Sequence, residues 1–252
     1  GDFWNAISKR FKYSSHLHGS NYTFKTQVTK KTDLIELVRR KVEHFFIKRA
    51  NKVISPSNAM IKLVEKEMKQ KITQAHVIPY PVNESEIKSI HQKNSLEKVQ
   101  LIFASRNDPI KGGDIFLKAL ESLSQAIQLK IEVKFYGFIP EQDLSHLKFL
   151  HLHSFVKKDI LLKAYHGADI CVIPSLFDNS PNTVYEAMAN GKIVVASSVG
   201  GIPEIIGGIE NGFLFDPSDI NDFVEKLEDA IKIVLNGECQ IMRINAQQHV
   251  NK

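Results

Sequence analysis

The sequence predicts an α/β fold with a doubly wound parallel sheet, covered by helices on both faces. From Val99 onward, short apolar runs rich in β-branched residues alternate with segments in which apolar residues recur at helical spacing. That alternation is typical of βαβ units. The chain has 252 residues, of which 43% are hydrophobic and 24% are charged, so it can bury a sizeable core and is expected to be folded rather than disordered.

Six strands and two long amphipathic helices are predicted in this region. The predicted strands are Val99–Ser105, Lys130–Gly137, Leu150–Phe155, Ile170–Pro174, Lys192–Ser197 and Gly212–Asp216. The helices follow from two apolar stripes at helical spacing. The stripes are Ile115, Phe116, Ala119, Leu120 and Leu123, and then Phe223, Leu227, Ile231 and Val234.

The first 82 residues are predicted to form an incomplete second Rossmann-like domain. Lys52–Ser55 is a predicted strand, and Ser57 is placed to cap a helix that runs to Met68. The prolines at Pro79 and Pro81 favour an extended connector. We therefore predict one domain over residues 1–82 and another over 83–252. One or two strands and two helices are too few for an ordinary α/β domain, so the chain is expected to be part of a longer one.

Composition excludes several classes of protein. The net charge is +5, and the basic excess lies in the first 82 residues, which favours anionic partners. The two cysteines, Cys171 and Cys239, form no CxxC pattern, so neither a disulfide framework nor a zinc-thiolate site is indicated. No apolar run is long enough for a membrane span, and no signal peptide is recognisable at the start. A cytoplasmic location is the expectation.

The loop after the first strand of the larger domain is rich in cations. Arg106 and Lys111 flank a turn that contains Pro109, and Gly112 and Gly113 open a helix. Ligands of open parallel sheets bind beyond the carboxyl ends of the strands, and helix starts attract anions. The pattern is therefore suited to a diphosphate. A surface loop with solvated charges is the alternative.

The loop after the fourth predicted strand carries two carboxylates. Asp178 lies in the polar loop itself, whereas Glu186 lies on a helix that Pro181 opens at its first position and Gly191 ends. Two carboxylates at one pocket can accept hydrogen bonds from sugar hydroxyls. Alternatively, Asp178 only caps a turn and Glu186 is a solvated helix residue.

A third loop contains Gly200 and Gly201, followed by a short helix that starts at Pro203 and Glu204. A tight turn between a strand and a helix is the simpler interpretation of this loop. No GxGxxG follows a predicted strand, and GxxxxGK[ST] is absent from the sequence. Dinucleotide-binding and P-loop functions therefore lose their main support.

Several ordered motifs from about Lys52 to Lys252 resemble the retaining glycosyltransferases of family 4, which have the GT-B fold of two Rossmann-like domains. The family's acidic residue, seven intervening residues and Glu match Asp178 to Glu186, and Glu-Ala-Met-Ala-x-Gly ends at Gly191. Val-Val-Ala, Gly-Gly-Ile-Pro-Glu and Asn-Gly-Phe-Leu-Phe follow in the family's order, with Arg106 and Lys111 at its phosphate-contacting positions.

The resemblance implies a role for each site residue. Arg106 and Lys111 would bind the diphosphate, Glu186 would bind the ribose hydroxyls, and Asp178 would contact the transferred sugar. Aspartate replaces the usual glutamate and is one methylene shorter. His18, in the first domain, would face the donor sugar. The backbone at Phe155 and Val156 would form the base-binding loop. The sugar and phosphate pocket would be lined by Asn179, Ser180, Pro181 and Asn182.

The resemblance also implies the reaction. A sugar would move from a nucleotide-diphosphate sugar to a glycan or lipid-linked acceptor, as in polysaccharide biosynthesis, with retention of configuration and without a metal or other cofactor. An earlier N-terminal half and a final helix crossing back to it are expected to be missing. Two alternatives stay open, a nucleotide-sugar-binding fragment without catalysis and a sugar-nucleotide epimerase of similar fold.

The basic part of the chain has its own interpretation. Arg39, Arg40 and Lys41 are interleaved with Leu37 and Val38, which predicts a basic amphipathic helix. Such a helix fits peripheral contact with the inner face of a membrane, and a solvated helix with its apolar side in the core fits equally. Nucleic acid is not expected as a partner. The pair His151 and His153 has no third ligand in sequence and predicts ordinary strand histidines.

Overall fold

A computed structural model of the protein describes residues 14–17, 34–81 and 98–251. These residues form two compact units. The smaller unit contains the described residues up to Pro81 together with Phe177–Ser180, and the larger unit contains the others. The predicted domain boundary between Val82 and Asn83 lies outside the described residues, and it stays a prediction.

The smaller unit has a three-stranded parallel sheet in the order β1-β2-β3. Its elements are β1 (Ser14–His16), α1 (Leu34–Arg49), β2 (Lys52–Ser55), α2 (Asn58–Met68) and β3 (Ala75–Val77). Ser57 caps α2 as predicted, since its side chain accepts a hydrogen bond from the N–H of Met60. The strand β3 was not predicted, because three residues beside two prolines give no strand pattern.

Apolar residues from both helices and the central strand form the core of the smaller unit. Its buried members are Leu17, Ile47, Ala50, Val53, Met60, Val64 and Ile72. Phe177, from the segment Phe177–Ser180, packs against this core.

The larger unit has a six-stranded parallel sheet. Along the chain its elements are β4 (Val99–Ala104), a 3₁₀ turn (Pro109–Lys111), α3 (Gly113–Ser122), α4 (Gln125–Gln128), β5 (Ile131–Gly137), β6 (Leu150–Ser154), α5 (Lys158–Gly167), β7 (Ile170–Ile173), α6 (Asn182–Ala189), β8 (Ile193–Ser197), α7 (Ile202–Ile206), β9 (Phe213–Phe215), α8 (Ile220–Leu235) and α9 (Gln240–Val250). All six predicted strands are present, and each boundary lies within one residue of its prediction.

Both faces of this sheet are buried, which explains why its central strands are apolar at nearly every position. One face packs against α3, α4 and α8 around Phe116, Phe135 and Phe223. The other face packs against α5, α6 and α7, with Met188 and Ile206 in the core. Helix α9 contributes Ala246 to this second face and contacts α6.

Helix α9 was not predicted, because its sequence has no continuous apolar stripe. Only Arg243 and Ala246 are fully buried along it. The guanidinium of Arg243 forms a buried ion pair with Asp169, at 3.2 Å, and the other carboxylate oxygen of Asp169 accepts a hydrogen bond from the N–H of Gln100 at 2.9 Å. A charged residue thus anchors this helix at the amino end of β7.

Candidate functional site

The strand order of the larger unit creates a crevice between β4 and β7. The order is β6-β5-β4-β7-β8-β9, so the chain builds the sheet outward from β4 on one side and from β7 on the other. The loops after these two strands diverge at that point, and ligands of open α/β sheets bind there. Charged residues were predicted at both loops, namely cations at the first and carboxylates at the second.

The loop after β4 is shaped by its own residues. The carboxylate of Asp108 accepts a hydrogen bond from the N–H of Ile110 at 3.2 Å and so caps the 3₁₀ turn. Gly112 then adopts a left-handed conformation with φ of 70°, and α3 begins at the next residue. Only Gly112 therefore separates Lys111 from the start of α3, which carries partial positive charge.

Backbone contacts lock this loop against the segment after β7. A Cβ atom at Gly112 would lie 1.8 Å from the carbonyl oxygen of Pro174, so only glycine fits. The N–H of Leu176 donates a hydrogen bond to the carbonyl oxygen of Ile110 at 2.7 Å. Lys111 is consequently flanked on both sides by fixed backbone, and its own side chain is half-buried.

Arg106 lies in the same loop and is exposed. Its neighbour Ser105 is in close contact with the end of β5, because a Cβ atom at Gly137 would lie only 1.6 Å from the Ser105 carbonyl oxygen. Gly137 has a φ of 123°. Three strand ends thus meet around the loop that carries both predicted phosphate ligands, and glycines at two positions make this close packing possible.

Glu186 lies on α6, one turn after the helix start. Pro181 is the residue before the first helical residue, one position earlier than predicted. Glu186 is half-buried, and its charge acts on two buried groups. Burial is the main cause that raises the pKa of the Tyr165 phenol and of the Cys171 thiol, the latter to about 12, and Glu186 adds to both shifts. Cys171 is therefore a protonated, unreactive thiol at neutral pH.

Asp178, Asn179 and Ser180 belong to the smaller unit, although they follow β7 in the chain. The side chain of Asn179 accepts a hydrogen bond from the hydroxyl of Ser57 and donates one to the carbonyl oxygen of Leu17 at 3.4 Å. Within the described part of the chain, the buried hydroxyl of Ser180 has no hydrogen-bond partner. Since Asp178 and Glu186 belong to different units, their predicted shared pocket stays a prediction.

The predicted base-binding residues follow β6. Phe155 is 84% exposed, whereas Val156 is half-buried and packs against the core beneath α6. Just before them, the ring of His153 stacks on Tyr136 with centroids 4.5 Å apart. Burial lowers the pKa of His153, with smaller contributions from His151 and Lys134. This stacked pair was not predicted, although its members occupy matched register positions on neighbouring strands.

The remaining histidine candidates are His151, which has a charged partner, and His18. His151 forms an ion pair with Glu132, which also pairs with Lys98 at 2.6 Å. Burial acts to raise the pKa of Glu132, but the hydrogen bonds from Lys98 and His151 outweigh it, so this pKa lies below its usual value. His18, predicted to face the donor sugar, lies outside the described residues.

Helix α1 combines an exposed apolar stripe with basic residues. Leu34, Val38 and Val42, each four positions apart, are 75%, 53% and 49% exposed. Arg39 and Lys41 are also exposed. Ile47, near the end of the helix, is buried in the core, so only the last part of α1 uses its apolar side for packing. No helix within the described ranges is both long and apolar enough to cross a membrane.

Comparison with protein families matches residues 98–232, more than half of the chain, to the family described as "Glycosyl transferases group 1". Among curated proteins, the chain is similar to "Uncharacterized glycosyltransferase MJ1178" of Methanocaldococcus jannaschii. The two are 30% identical over 134 residues, which are 52% of this chain and 37% of that protein. The match thus spans little more than a third of the relative's length.

Two solved structures are similar in fold. One is sucrose-phosphate synthase from Thermosynechococcus elongatus, with a TM-score of 0.78 at 20% identity, covering 98% of this chain and 66% of that one. The other is Anabaena Alr3699/HepE in complex with UDP, with a TM-score of 0.77 at 19% identity, covering 98% and 69%. Together with the six-stranded parallel sheet, they confirm the predicted Rossmann-like α/β fold of GT-B type.

Proposed function

The chain belongs to the group 1 glycosyltransferases, and on that premise we propose that the protein transfers a sugar from a nucleotide-diphosphate sugar to an acceptor. The observation that carries this proposal is the cationic loop after β4, whose backbone is held on either side of Lys111 by the segment after β7. A cation fixed at the crevice of an open α/β sheet is suited to a diphosphate.

In the proposed reaction, the bond between the anomeric carbon and the diphosphate oxygen breaks, and the acceptor's hydroxyl oxygen bonds to that carbon. The hydroxyl proton leaves with the diphosphate. Negative charge grows on the leaving group as the bond breaks, and Lys111, Arg106 and the N–H groups at the start of α3 stabilise it. Fixed charges and dipoles act most strongly in this role because they need no reorganisation during the reaction.

The two carboxylates and the loop after β6 complete the proposed donor site. Glu186 accepts hydrogen bonds from the ribose hydroxyls, and its half-buried position strengthens such bonds. Asp178 contacts the transferred sugar, and the backbone around Phe155 and Val156 binds the base. UDP is a reasonable first nucleotide to test, because the similar Anabaena protein was solved in complex with UDP.

Retention of configuration, independence of metal ions and a glycan or lipid-linked acceptor are part of the proposal. Cationic side chains at the diphosphate supply the charge that a divalent ion supplies in other transferases. A sugar product whose anomeric configuration is inverted would contradict retention. Loss of transfer in the presence of a chelator, with recovery on adding Mg²⁺, would contradict metal independence.

Helix α1 supports a proposed peripheral contact with an anionic membrane. Its apolar stripe of Leu34, Val38 and Val42 is exposed beside basic residues, and such helices bind by inserting apolar groups while cations meet lipid headgroups. Flotation with anionic vesicles at low salt tests this. We expect co-flotation that Val38→Asp abolishes, whereas protein that stays at the bottom of the gradient would contradict a membrane contact.

The proposed function is tested by thermal-shift measurement with UDP-glucose, GDP-mannose and ADP-glucose, followed by a transfer assay. A ligand that binds only the folded state raises the melting temperature by mass action. At least one sugar nucleotide is expected to do so, and to be consumed when acceptor is added. Binding without transfer would support the alternative of a nucleotide-sugar-binding fragment, and an isomerised donor would support an epimerase.

A further inference from the structure

The segment Phe177–Ser180 is attached to the smaller unit by two different contacts. Phe177 packs against the apolar core formed by α1, β2 and α2. Asn179 reaches two polar groups of the same unit, the hydroxyl of Ser57 and the carbonyl oxygen of Leu17. Asp178 lies between these two attachment points, so its backbone is fixed from both sides.

The hydrogen bonds of Asn179 are buried. Asn179 is 8% exposed and Ser57 is 1% exposed. Buried polar groups must find partners, and removing one partner leaves the other group desolvated and unpaired. The contact between Ser57 and Asn179 joins residues 122 positions apart in the chain, so it restricts the segment far more than a local turn would.

Ser57 itself is held rigidly. Its hydroxyl accepts a hydrogen bond from the N–H of Met60 at 3.2 Å while it donates to Asn179. Its backbone carbonyl oxygen accepts from the hydroxyl of Ser55 at 2.8 Å, and its N–H donates to the same hydroxyl at 3.3 Å. The backbone of Ser57 is thus held by Ser55, and its hydroxyl is held by the N–H of Met60. The hydroxyl therefore has one orientation, which fixes the position of the Asn179 amide that it contacts.

We infer that Ser57 is a positioning residue, which acts through Asn179 to hold Asp178 where the transferred sugar binds. The inference rests on the proposed function, because it gives Asp178 its role. Capping α2 requires only that the hydroxyl of Ser57 accept a hydrogen bond. The bond that it donates to Asn179 adds nothing to the cap, and it is this bond that the inference assigns to the sugar site.

The test compares Ser57→Ala with Asp219→Ala. Asp219 caps α8 in the larger unit by accepting hydrogen bonds from Asn221 and Asp222, so its replacement also removes a helix cap but leaves the segment Phe177–Ser180 intact. For both variants and the unchanged full chain, we would measure melting temperature, affinity for UDP, GDP and ADP, and affinity for UDP-glucose, GDP-mannose and ADP-glucose.

Both variants are expected to melt at lower temperature, Ser57→Ala by the larger amount because it also leaves the buried Asn179 amide without its donor, and both should bind the bare nucleotide as the unchanged chain does. Only Ser57→Ala is expected to lose about ten-fold in its preference for the sugar nucleotide over the nucleotide, the effect of one buried hydrogen bond. Ser57→Thr keeps a hydroxyl and should restore that preference.

The possible failures differ from one another. An unchanged chain that binds none of the six compounds would overturn the proposed function and the inference with it. Nucleotide binding with an unaltered sugar preference in Ser57→Ala would overturn the inference alone, as would an equal loss in Asp219→Ala. The inference would also be overturned if the unchanged chain bound the sugar nucleotides no more tightly than the nucleotides. A contact between Asp178 and the transferred sugar should raise the affinity for the sugar nucleotide above that for the nucleotide.

Discussion

The cationic loop after β4, in the larger unit, and the segment Phe177–Ser180, in the smaller unit, are held in place by different kinds of contact. The cationic loop is held by backbone atoms, through Gly112 against Pro174 and the hydrogen bond between Leu176 and Ile110. The segment that carries Asp178 is held by side chains, through Phe177 and Asn179. Substitutions that disturb the backbone contacts of the loop should therefore lower the stability of the fold, whereas those that disturb the side-chain contacts of the segment should mainly lower its local order.

The largest effect is expected for Gly112→Ala. A left-handed conformation costs an alanine about 1 to 2 kcal/mol, and the clash with the Pro174 carbonyl adds a further ~1 to 3 kcal/mol. We expect the free energy of unfolding, measured by urea denaturation, to fall by about 4 kcal/mol in total.

Gly237→Ala is the matched control for this substitution. Gly237 has nearly the same φ, 73°, but no atom lies within 4 Å of the added Cβ. It should lower the free energy of unfolding by about 1 to 2 kcal/mol only. Equal effects at the two glycines would mean that the contact between the two loops is not tight.

The next largest effect is expected for Arg243→Met, which breaks the buried ion pair with Asp169 at the amino end of β7. Leaving a buried charge without its partner costs about 3 kcal/mol, although Asp169 keeps the hydrogen bond from Gln100. The free energy of unfolding should fall by about that amount. Nucleotide affinity of the folded protein should not change, and a loss of affinity would show that the two ends of the sheet are not independent.

Asn179→Ala should have a smaller effect on stability and a local effect on order. It leaves the buried O–H of Ser57 without its acceptor and removes one donor from the Leu17 carbonyl oxygen, at a cost of about 1 to 2 kcal/mol. Hydrogen exchange of the backbone in residues 177–180 should become faster. The control is Asn211→Ala, which removes a buried amide whose side chain donates to Ile206 at 2.8 Å. Faster exchange in residues 177–180 of the control would contradict the side-chain attachment.

The smallest effect is expected at the stacked pair of His153 and Tyr136. Burial lowers the pKa of His153 in the folded protein, so the unfolded chain takes up the proton more readily. Stability is therefore lost as the pH falls through the pKa of the unfolded histidine. In His153→Gln, the drop in melting temperature between about pH 8 and pH 5 should be smaller. His76→Gln, at an exposed position of β3, should leave that drop unchanged.

Much of the larger unit could be predicted from the sequence, because its strands are short apolar runs buried on both faces. The cap at Ser57 was also predictable, since a serine before an apolar-periodic segment is a local signal. Helix α9 was not predicted because one of its two buried residues is Arg243, which forms an ion pair with Asp169. A search for apolar residues at helical spacing does not detect a buried arginine. The membership of Phe177–Ser180 in the smaller unit was missed for another reason, namely that it depends on contacts with residues more than a hundred positions away.

The cations of the site were predictable as residue types but not as geometry. Arg106 and Lys111 stand out in the sequence, yet solvated surface charges fit the same pattern. What distinguishes Lys111 is the packing of Gly112 against the Pro174 carbonyl and of Gly137 against the Ser105 carbonyl. These are contacts between strand ends that come together only when the sheet has formed.

Titration calorimetry of UDP into the full chain tests the central claim most directly, with Lys111→Ala compared against Lys118→Ala. Lys118 is an exposed residue of α3, so the two variants lose the same charge from neighbouring positions. If Lys111 binds the diphosphate, its loss should weaken UDP binding by about ten-fold or more, while Lys118→Ala binds as the unchanged protein does. Equal affinity for UDP in both variants would contradict the account.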